Sequence, residues 1–391
     1  MNRILLTLLL LASLANINQL GADDDIISKT GNWGYDYNDL LNDLPVWNAS
    51  PWVTIDSIGA SVQHRALWEL TITDTLPPDQ TRHTVYMHVR THPNEVQSFW
   101  VANEFINLLL SDDLYADFMR THCTFYIVPM YNPDGVELGY PRENANGIDI
   151  ESNWANIPME PEPAVLKQRF ISLMSSSAPI EVALNMHSAY NASMRFFVYH
   201  HENGTSIEYT QLEQQFIGAV QSYFPTGIAP WNHTVTWTSF TPDYYPESWF
   251  WLNHGASVMA LTYEDMNNDQ AGNYDSTAYA LLHGIGDYLG LVPTTTVAEE
   301  PDQPRFFSLN QNYPNPFNPI TTISYYLEKP GHVTLNILDL NGRWLMSLVK
   351  TFQPAGNKQV QWNGELFPTG IYFYQIIVDG QQQALKMTML K

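Results

Sequence analysis

The chain has 391 residues, enough for two or three domains, and 45% of them are apolar and 13% aromatic, a content that fills large cores and excludes a disordered polymer. Forty acidic residues stand against seventeen Lys and Arg, and the net charge of -23 repels phosphate backbones and anionic lipid surfaces, which excludes nucleic acid as a natural partner. With Cys123 as its one cysteine the chain makes no internal disulfide, so any metal site must draw on His and carboxylate.

Arg3 precedes an apolar run from Ile4 to Leu14, and small residues stand near and after its end at Ser13, Ala15 and Ala22. This is the pattern of a secretory signal peptide over residues 1–22, too short to span a bilayer comfortably, and no later stretch qualifies as transmembrane.

From there to residue 292, strand-like runs alternate with helical ones. Thr84 to Val89, Thr124 to Met130, Ile180 to Met186 and Ser257 to Thr262 are short and rich in apolar or β-branched residues, as buried parallel strands are. Glu95 to Leu110 carries Phe99, Ala102, Ile106 and Leu109 on one stripe, and Ala164 to Ser175, Ser206 to Tyr223 and Thr277 to Leu289 are further helical candidates. The fold expected for residues 23–292 is α/β, with a mixed, mostly parallel sheet flanked by helices.

Residues 293–305 interrupt all periodicity with Pro, Thr and acids and read as a linker. Charge changes there too: residues 306–391 hold six basic and four acidic side chains, so the excess negative charge lies entirely before them. Thr321 to Leu327, His332 to Leu338, Arg343 to Val349, Lys358 to Trp362, Gly370 to Val378 and Ala384 to Leu390 are strands separated by Pro, Gly and Asn turns, a spacing that favours a small all-β sandwich.

Chemistry concentrates at strand ends. His92, Pro93, Asn94 and Glu95 follow the first strand and open a helix, a turn that aims an imidazole and a carboxylate at one point. A catalytic zinc takes three protein ligands and keeps a fourth position for water, with two His and one Glu a known set. His187, closing the strand from Ile180, is the best third donor, and Glu264 follows the strand from Ser257. Taken singly, each signal has an ordinary alternative: HxxE is common by chance, a His at a strand end is usually a hydrogen-bonded edge residue, and Glu264 beside Asp265 can be a solvated acidic pair.

Several dispersed segments in one order change that balance. YDYNDLLNDL at Tyr35 to Leu44, IDSIGASVQHRALWELTI at Ile55 to Ile72, HPNE at His92, YIVPMYNPDGVELG at Tyr126 to Gly139, RENANGIDIESNW from Arg142, LNMHSAY at Leu184 to Tyr190 and LTYED from Leu261 together resemble the zinc carboxypeptidase family over roughly residues 33 to 290. The resemblance implies a Zn2+ cofactor on His92, Glu95 and His187, Glu264 as the base that takes a proton from water and passes it to the leaving amine, and Arg142 as the group that stabilises the oxyanion. It also implies a tyrosine that closes over substrate, for which Tyr244 and Tyr245 are both candidates. Two departures stand out: the family's usual Asn-Arg pair for the substrate's terminal carboxylate is here Glu151-Ser152, and the arginine often found inside HxxE is Asn94. Arg90 or Arg195 could replace the missing anchor, although a surface or structural arginine is the plainer reading of each. Asn132 to Gly135 could serve purely as a turn.

FSLNQNYPNPFNPITTISYYL from Phe306, VTLNILDLNGR, AGNKQVQWNG, PTGIYFYQIIVDG and the final LKMTMLK resemble the type IX secretion sorting domain. That resemblance implies export through a dedicated machinery to a secreted or surface-attached form; a carbohydrate-binding or spacer sandwich is the alternative. The expected function is a secreted zinc metallopeptidase of carboxypeptidase type acting on peptide or protein substrates. A zinc amidase or deacylase with no need of a free terminal carboxylate, or a non-catalytic surface binding module, are the other readings.

Overall fold

The structure, a computed structural model, describes residues 33–74, 82–291, 306–339 and 344–390. The signal segment at 1–22 and the linker at 293–305 lie outside the described residues. The chain forms two compact units, Met1–Leu291 and Val292–Lys391, taken here one at a time.

The first unit is built on an eight-stranded sheet: β1 (Val53–Ala60), β2 (Ala66–Ile72), β3 (His83–Val89), β4 (Cys123–Val128), β5 (Ile180–Tyr190), β6 (Phe196–His200), β7 (Thr234–Thr236) and β8 (Met259–Asn267), in the order β1-β2-β4-β3-β5-β8-β6-β7. The four inner strands β4, β3, β5 and β8 are parallel, while β1, β2 and β6 pair antiparallel around them. The inner strands are apolar on both faces because helices cover both sides, as a parallel sheet requires.

One face of the sheet packs against α2 (Val96–Leu109), α3 (Leu114–His122), α6 (Ile207–Tyr223) and α8 (Tyr274–Tyr288), through Phe99, Phe105, Ile106, Phe216, Val220, Leu281 and Ile285. The other face carries a smaller core of Tyr86, Trp154, Leu166, Phe170 and Phe250, contributed in part by α5 (Pro161–Met174) and α7 (Pro246–His254). Below the carboxyl ends of β3, β5 and β8 this second face turns polar, and the site forms there.

The four strands and four helices expected from periodicity in this unit are present, with ends displaced by a few residues. Two displacements matter: β5 runs on to Tyr190 and β8 to Asn267, so His187 and Glu264 lie within strands rather than just beyond them. Periodicity left unread α1 (Tyr37–Trp47), α3, α4 (Pro133–Leu138), α7 and the strands β1, β2, β6 and β7. Pro at the first turns of α4 and α7 is tolerated because early-turn amides have no intrahelical partner, whereas Pro45 inside α1 forgoes the bond an amide there would make one turn back.

The second unit is a sandwich of two antiparallel sheets, β13-β10-β9 and β12-β11-β14-β15, from β9 (Phe307–Leu309), β10 (Ile320–Leu327), β11 (Gly331–Leu338), β12 (Trp344–Gln353), β13 (Gly356–Asn363), β14 (Gly370–Val378) and β15 (Gln381–Met389). Alternate residues of β11 and β14 point inward, and Ile323, Leu335, Ile337, Trp362, Tyr374, Ile376 and Met387 form one shared core. The Tyr374 hydroxyl donates to the Asn310 carbonyl at 2.9 Å and accepts from the Asn312 amide at 2.8 Å, which ties the segment before β10 to β14.

Candidate metal centre

The turn after β3 presents His92 and ends at Glu95, which caps α2 without using its side chain on the helix. That carboxylate is therefore free for other partners. Glu95 Oε1 lies 2.8 Å from His92 Nδ1 and Oε2 lies 2.8 Å from His187 Nδ1. The two Nδ1 atoms are 3.1 Å apart, all three residues are buried, and their donor atoms fall within 4.8 Å of one another. One proton can bridge two imidazole nitrogens at that separation, and a second forces two N–H groups together. A divalent cation satisfies both lone pairs and the carboxylate at once, so the donor set fits zinc with its fourth position left open.

Behind each imidazole stands a carboxylate. His92 Nε2 lies 3.2 Å from Asp149 Oδ1, and His187 Nε2 lies 3.3 Å from Glu151 Oε2. The Asp149 contact is a hydrogen bond of the kind that fixes ring orientation, whereas Glu151 stands at ion-pair distance from a His187 Nε2 that makes no hydrogen bond. Both come from the short turn Ile150–Ser152 and its cap Asp149, two residues apart on one side of that turn. Sequence reasoning assigned Glu151 to a pocket for substrate and did not see Asp149 at all; an acid-x-acid spacing in an otherwise apolar turn was the available signal.

Electrostatics follow from this packing. Burial alone would lower the His187 and His92 pKa values, but the carboxylates outweigh it and both imidazoles are raised, His187 strongly. Burial would raise Glu95, yet His187 and His92 hold it well below the usual carboxylate range. Asp149 falls to about 2, its burial outweighed by His92 and Arg142.

Parallel pairing puts Glu264 directly beside His187 in the sheet. Burial pushes its carboxyl up to about 7, with His187 opposing and Glu95 reinforcing, and its Oε2 has no hydrogen-bond partner. A cation held by the three donors would pull that value down, leaving a carboxylate poised to accept a proton. Arg142 is half exposed at the rim; its Nε and Nη2 each donate to Asp149 Oδ2 at 3.1 Å, and Nη1 lies 3.9 Å from Glu95 Oε1.

The Asn-Pro-Asp-Gly segment is more than a turn. Asn132 caps α4 by accepting from the Gly135 amide, and its own amide donates to the Thr91 carbonyl at 3.2 Å and the Glu143 carbonyl at 3.1 Å. It thus clips the His92 turn to the loop that carries Arg142. A side chain at Gly135 would collide with the Glu143 carbonyl and the Pro93 ring, so only glycine allows this approach.

The remaining candidates divide. Tyr244 is exposed and Tyr245 half-buried, with ring centroids 4.5 Å apart at the entry to α7, and the Tyr244 carbonyl accepts from the Trp154 amide two residues past Ser152. Ser152 is exposed, while Glu151 is buried and accepts from the Asn185 amide at 3.1 Å to both oxygens. Arg195 is a correction: it is buried, its Nε donates to Asp265 Oδ2 at 3.0 Å, and its Nη2 donates to the Gly272 carbonyl. Asp265 follows Glu264 in β8 and so points to the opposite face of the sheet. Arg195 is a structural ion pair there and no substrate anchor. Arg90 is likewise buried, donating to the Pro93 and Tyr35 carbonyls.

Comparisons with known proteins agree with this geometry. Residues 47–241 match the family model described as zinc carboxypeptidase, and residues 311–390 match the secretion system C-terminal sorting domain. Cytosolic carboxypeptidase 6 of Mus musculus is 27% identical over 281 residues, covering 70% of this chain and 47% of that protein; its Homo sapiens counterpart is 33% identical over 153 residues, covering 37% and 29%. The chain spans about half the length, or less, of the curated relatives it matches. Among solved structures, a metallo-carboxypeptidase from Burkholderia cenocepacia aligns with a TM-score of 0.56 at 18% identity over 66% of this chain and 70% of that one. A carboxypeptidase from Burkholderia mallei aligns at 0.57 and 20% over 66% and 69%. The match to the zinc carboxypeptidase family lies wholly within the first unit. The match to the secretion sorting domain lies wholly within the second unit. All three metal donors fall within the matched residues, and Glu264 lies beyond them. No helix among the described residues is long and apolar enough to cross a membrane.

Proposed function

We propose that this protein is a secreted zinc-dependent metallopeptidase that removes residues from the C-terminus of peptides or proteins. Residues 1–22 would direct the chain out of the cytoplasm, 23–292 catalyse, 293–305 link, and 306–391 hand the protein to an export machinery that leaves it secreted or attached to the cell surface. The observation that carries the catalytic reading is the meeting of His92 Nδ1, Glu95 and His187 Nδ1 at one point, with Glu264 one strand away.

His92, Glu95 and His187 would hold the zinc, which when bound polarises the scissile carbonyl and makes water acidic enough to react near neutral pH. Asp149 orients the His92 imidazole from behind, and Glu151 places a negative charge behind His187. Glu264 takes the proton from the attacking water and delivers it to the departing amine; its unpartnered buried oxygen supports that task. Arg142, half exposed at the rim with Nη1 turned toward Glu95, balances the charge that develops on the carbonyl oxygen. Tyr244 or Tyr245 closes over the bound chain.

Glu151-Ser152 in place of an Asn-Arg pair supports a second reading. Among the described residues no Lys or Arg side chain pairs with Glu151, so a free terminal carboxylate finds no bidentate partner at that turn. An amidase or deacylase indifferent to that carboxylate fits the same zinc chemistry.

Replacing Glu264 by Gln tests the mechanism. The amide keeps the shape but cannot accept a proton, so the variant should keep one zinc and lose roughly 10² to 10⁴ in turnover. Near-normal turnover would remove Glu264 from the role.

A further inference from the structure

The short turn that carries Asp149 and Glu151 reaches both metal-donor imidazoles at once. Asp149 caps the turn Ile150–Ser152, and its Oδ1 accepts from the Glu151 amide at 3.1 Å, so the two acids keep a fixed spacing. Asp149 Oδ1 is hydrogen-bonded to His92 Nε2 at 3.2 Å, and Glu151 Oε2 lies 3.3 Å from His187 Nε2. Each carboxylate therefore stands behind a different donor ring, while Glu95 faces both Nδ1 atoms at 2.8 Å.

Two observations single out Glu151. It is held in place: the Asn185 amide donates to both of its oxygens at 3.1 Å, and Asn185 Oδ1 accepts from the Thr91 hydroxyl at 3.3 Å. Thr91 precedes His92, and Asn185 lies two residues before His187 on the same face of β5, so a chain of side chains runs from one donor to the other through Glu151. The second observation is His187 Nε2 itself, which is buried without a hydrogen-bond partner. An imidazole that offers Nδ1 to a metal carries its proton on Nε2, and a buried N–H left unmatched costs free energy. Glu247, the buried carboxylate on the far side of Asn185, is engaged elsewhere: its Oε1 accepts from the Thr262 hydroxyl at 2.8 Å, and among the described residues no ion pair joins it to either imidazole. Glu151 is buried, and the exposed member of the turn is Ser152.

We infer that Glu151 is a positioning residue of the metal centre, the acceptor of the His187 Nε2–H, and that it holds this ring in place of any contact with a substrate's carboxylate. A carboxylate there fixes the ring and makes Nδ1 a stronger donor, as Asp149 does for His92. The inference rests on the zinc reading of the site and on no step of turnover.

The test uses the full chain and reads metal rather than turnover. Zinc affinity by chelator competition, the absorption spectrum of the Co2+-substituted protein and the melting of the metal-free protein are measured for the parent, Glu151→Gln, Ser152→Arg, and Glu151→Asn combined with Ser152→Arg. Glu151→Gln should bind zinc about 10- to 100-fold more weakly and shift the Co2+ spectrum. The double variant should lose affinity to a similar degree although it supplies an arginine, whereas Ser152→Arg alone should bind zinc as the parent does. Unchanged affinity in Glu151→Gln or in the double variant overturns the inference. So does a lowered melting temperature with affinity and spectrum unchanged, the mark of a group that supports only the fold. An equal loss with Ser152→Arg alone overturns it as well, because the turn and not the carboxylate would be responsible. Where Glu151→Gln does not fold, the parent decides by NMR of isotope-labelled histidine: zinc loading should give two imidazole N–H signals shifted downfield by carboxylate acceptors, one per donor ring, and a single one contradicts the inference. A parent without stoichiometric zinc overturns the metal centre and this inference together, and its zinc content, read first, tells that failure apart from failure of Glu151 alone.

Discussion

His187→Ala is the sharpest perturbation of the metal centre. The side chain is 3% exposed, its Nδ1 faces Glu95 Oε2 at 2.8 Å, and its Nε2 faces Glu151 Oε2 at 3.3 Å. The substitution removes one of three donors and also strips two buried carboxylates of their shared cationic neighbour in the metal-free protein. Loss of a partner behind a ligand typically costs 10- to 100-fold in metal affinity, so loss of the ligand itself should exceed that and leave no stoichiometric zinc. Breaking a buried ion pair costs about 3–5 kcal/mol, so the metal-free variant should also melt below the metal-free parent. In the parent, zinc at a hundred times its dissociation constant adds about 2.7 kcal/mol, and a domain of this size gains roughly 2–4 °C in Tm from each 1 kcal/mol. Elemental analysis after gel filtration reads the stoichiometry, and thermal melts with and without zinc read the coupling. A His187→Ala protein that still carries one zinc per chain, or whose Tm still rises with zinc, would refute the assignment.

Four further outcomes follow from the same structure. Zinc affinity should fall as pH drops: both imidazoles have raised pKa values, so their ion pairs favour the metal-free fold at low pH and fade as pH rises through those values, and protons must leave before metal enters; competition titrations across pH showing flat affinity would contradict this. Asp149→Asn should retain zinc but bind it 10- to 100-fold more weakly, read by chelator competition, and unchanged affinity would deny Asp149 its supporting role. Arg195→Met should lower stability by about 3–5 kcal/mol in denaturant melts by orphaning Asp265, whereas a fully stable variant with a raised KM would restore Arg195 as a substrate anchor. Tyr374→Phe should destabilise the sorting unit by about 1–3 kcal/mol, since the Asn312 amide and Asn310 carbonyl lose a shared partner, and unaltered melting would show that water replaces the hydroxyl.

The inner strands and the meeting of His92 with Glu95 were legible because both are local signals. A buried parallel strand is a short apolar run, and His92 with Glu95 sit three apart on one turn, so neither needs long-range information. The outer strands were harder: β1 mixes exposed and half-buried residues, β2 mixes half-buried and buried ones, and β7 is three residues long. Partnerships across the chain were hardest. Arg195 and Asp265 lie 70 residues apart, and nothing local distinguishes an arginine that closes a core from one that greets a substrate. Glu151 shows the same limit, since alignment to a motif places it at a substrate pocket while packing turns its carboxylate toward His187 and Asn185. Glu247 lies in a stretch no motif covered, and only the fold sets it beneath the metal donors.

A carboxypeptidase centre at His92, Glu95 and His187 would shorten peptides from the C-terminus. Mass spectrometry of a peptide library incubated with the zinc-loaded chain, with free and amidated C-termini side by side and the Glu264→Gln variant as control, tests it most directly. Products should be shortened by one residue at a time from the C-terminus, absent with Glu264→Gln, and formed with little discrimination against amidated ends because Glu151-Ser152 offers no bidentate anchor. Internal cleavage, trimming from the N-terminus, or release of single residues undiminished by Glu264→Gln would contradict it.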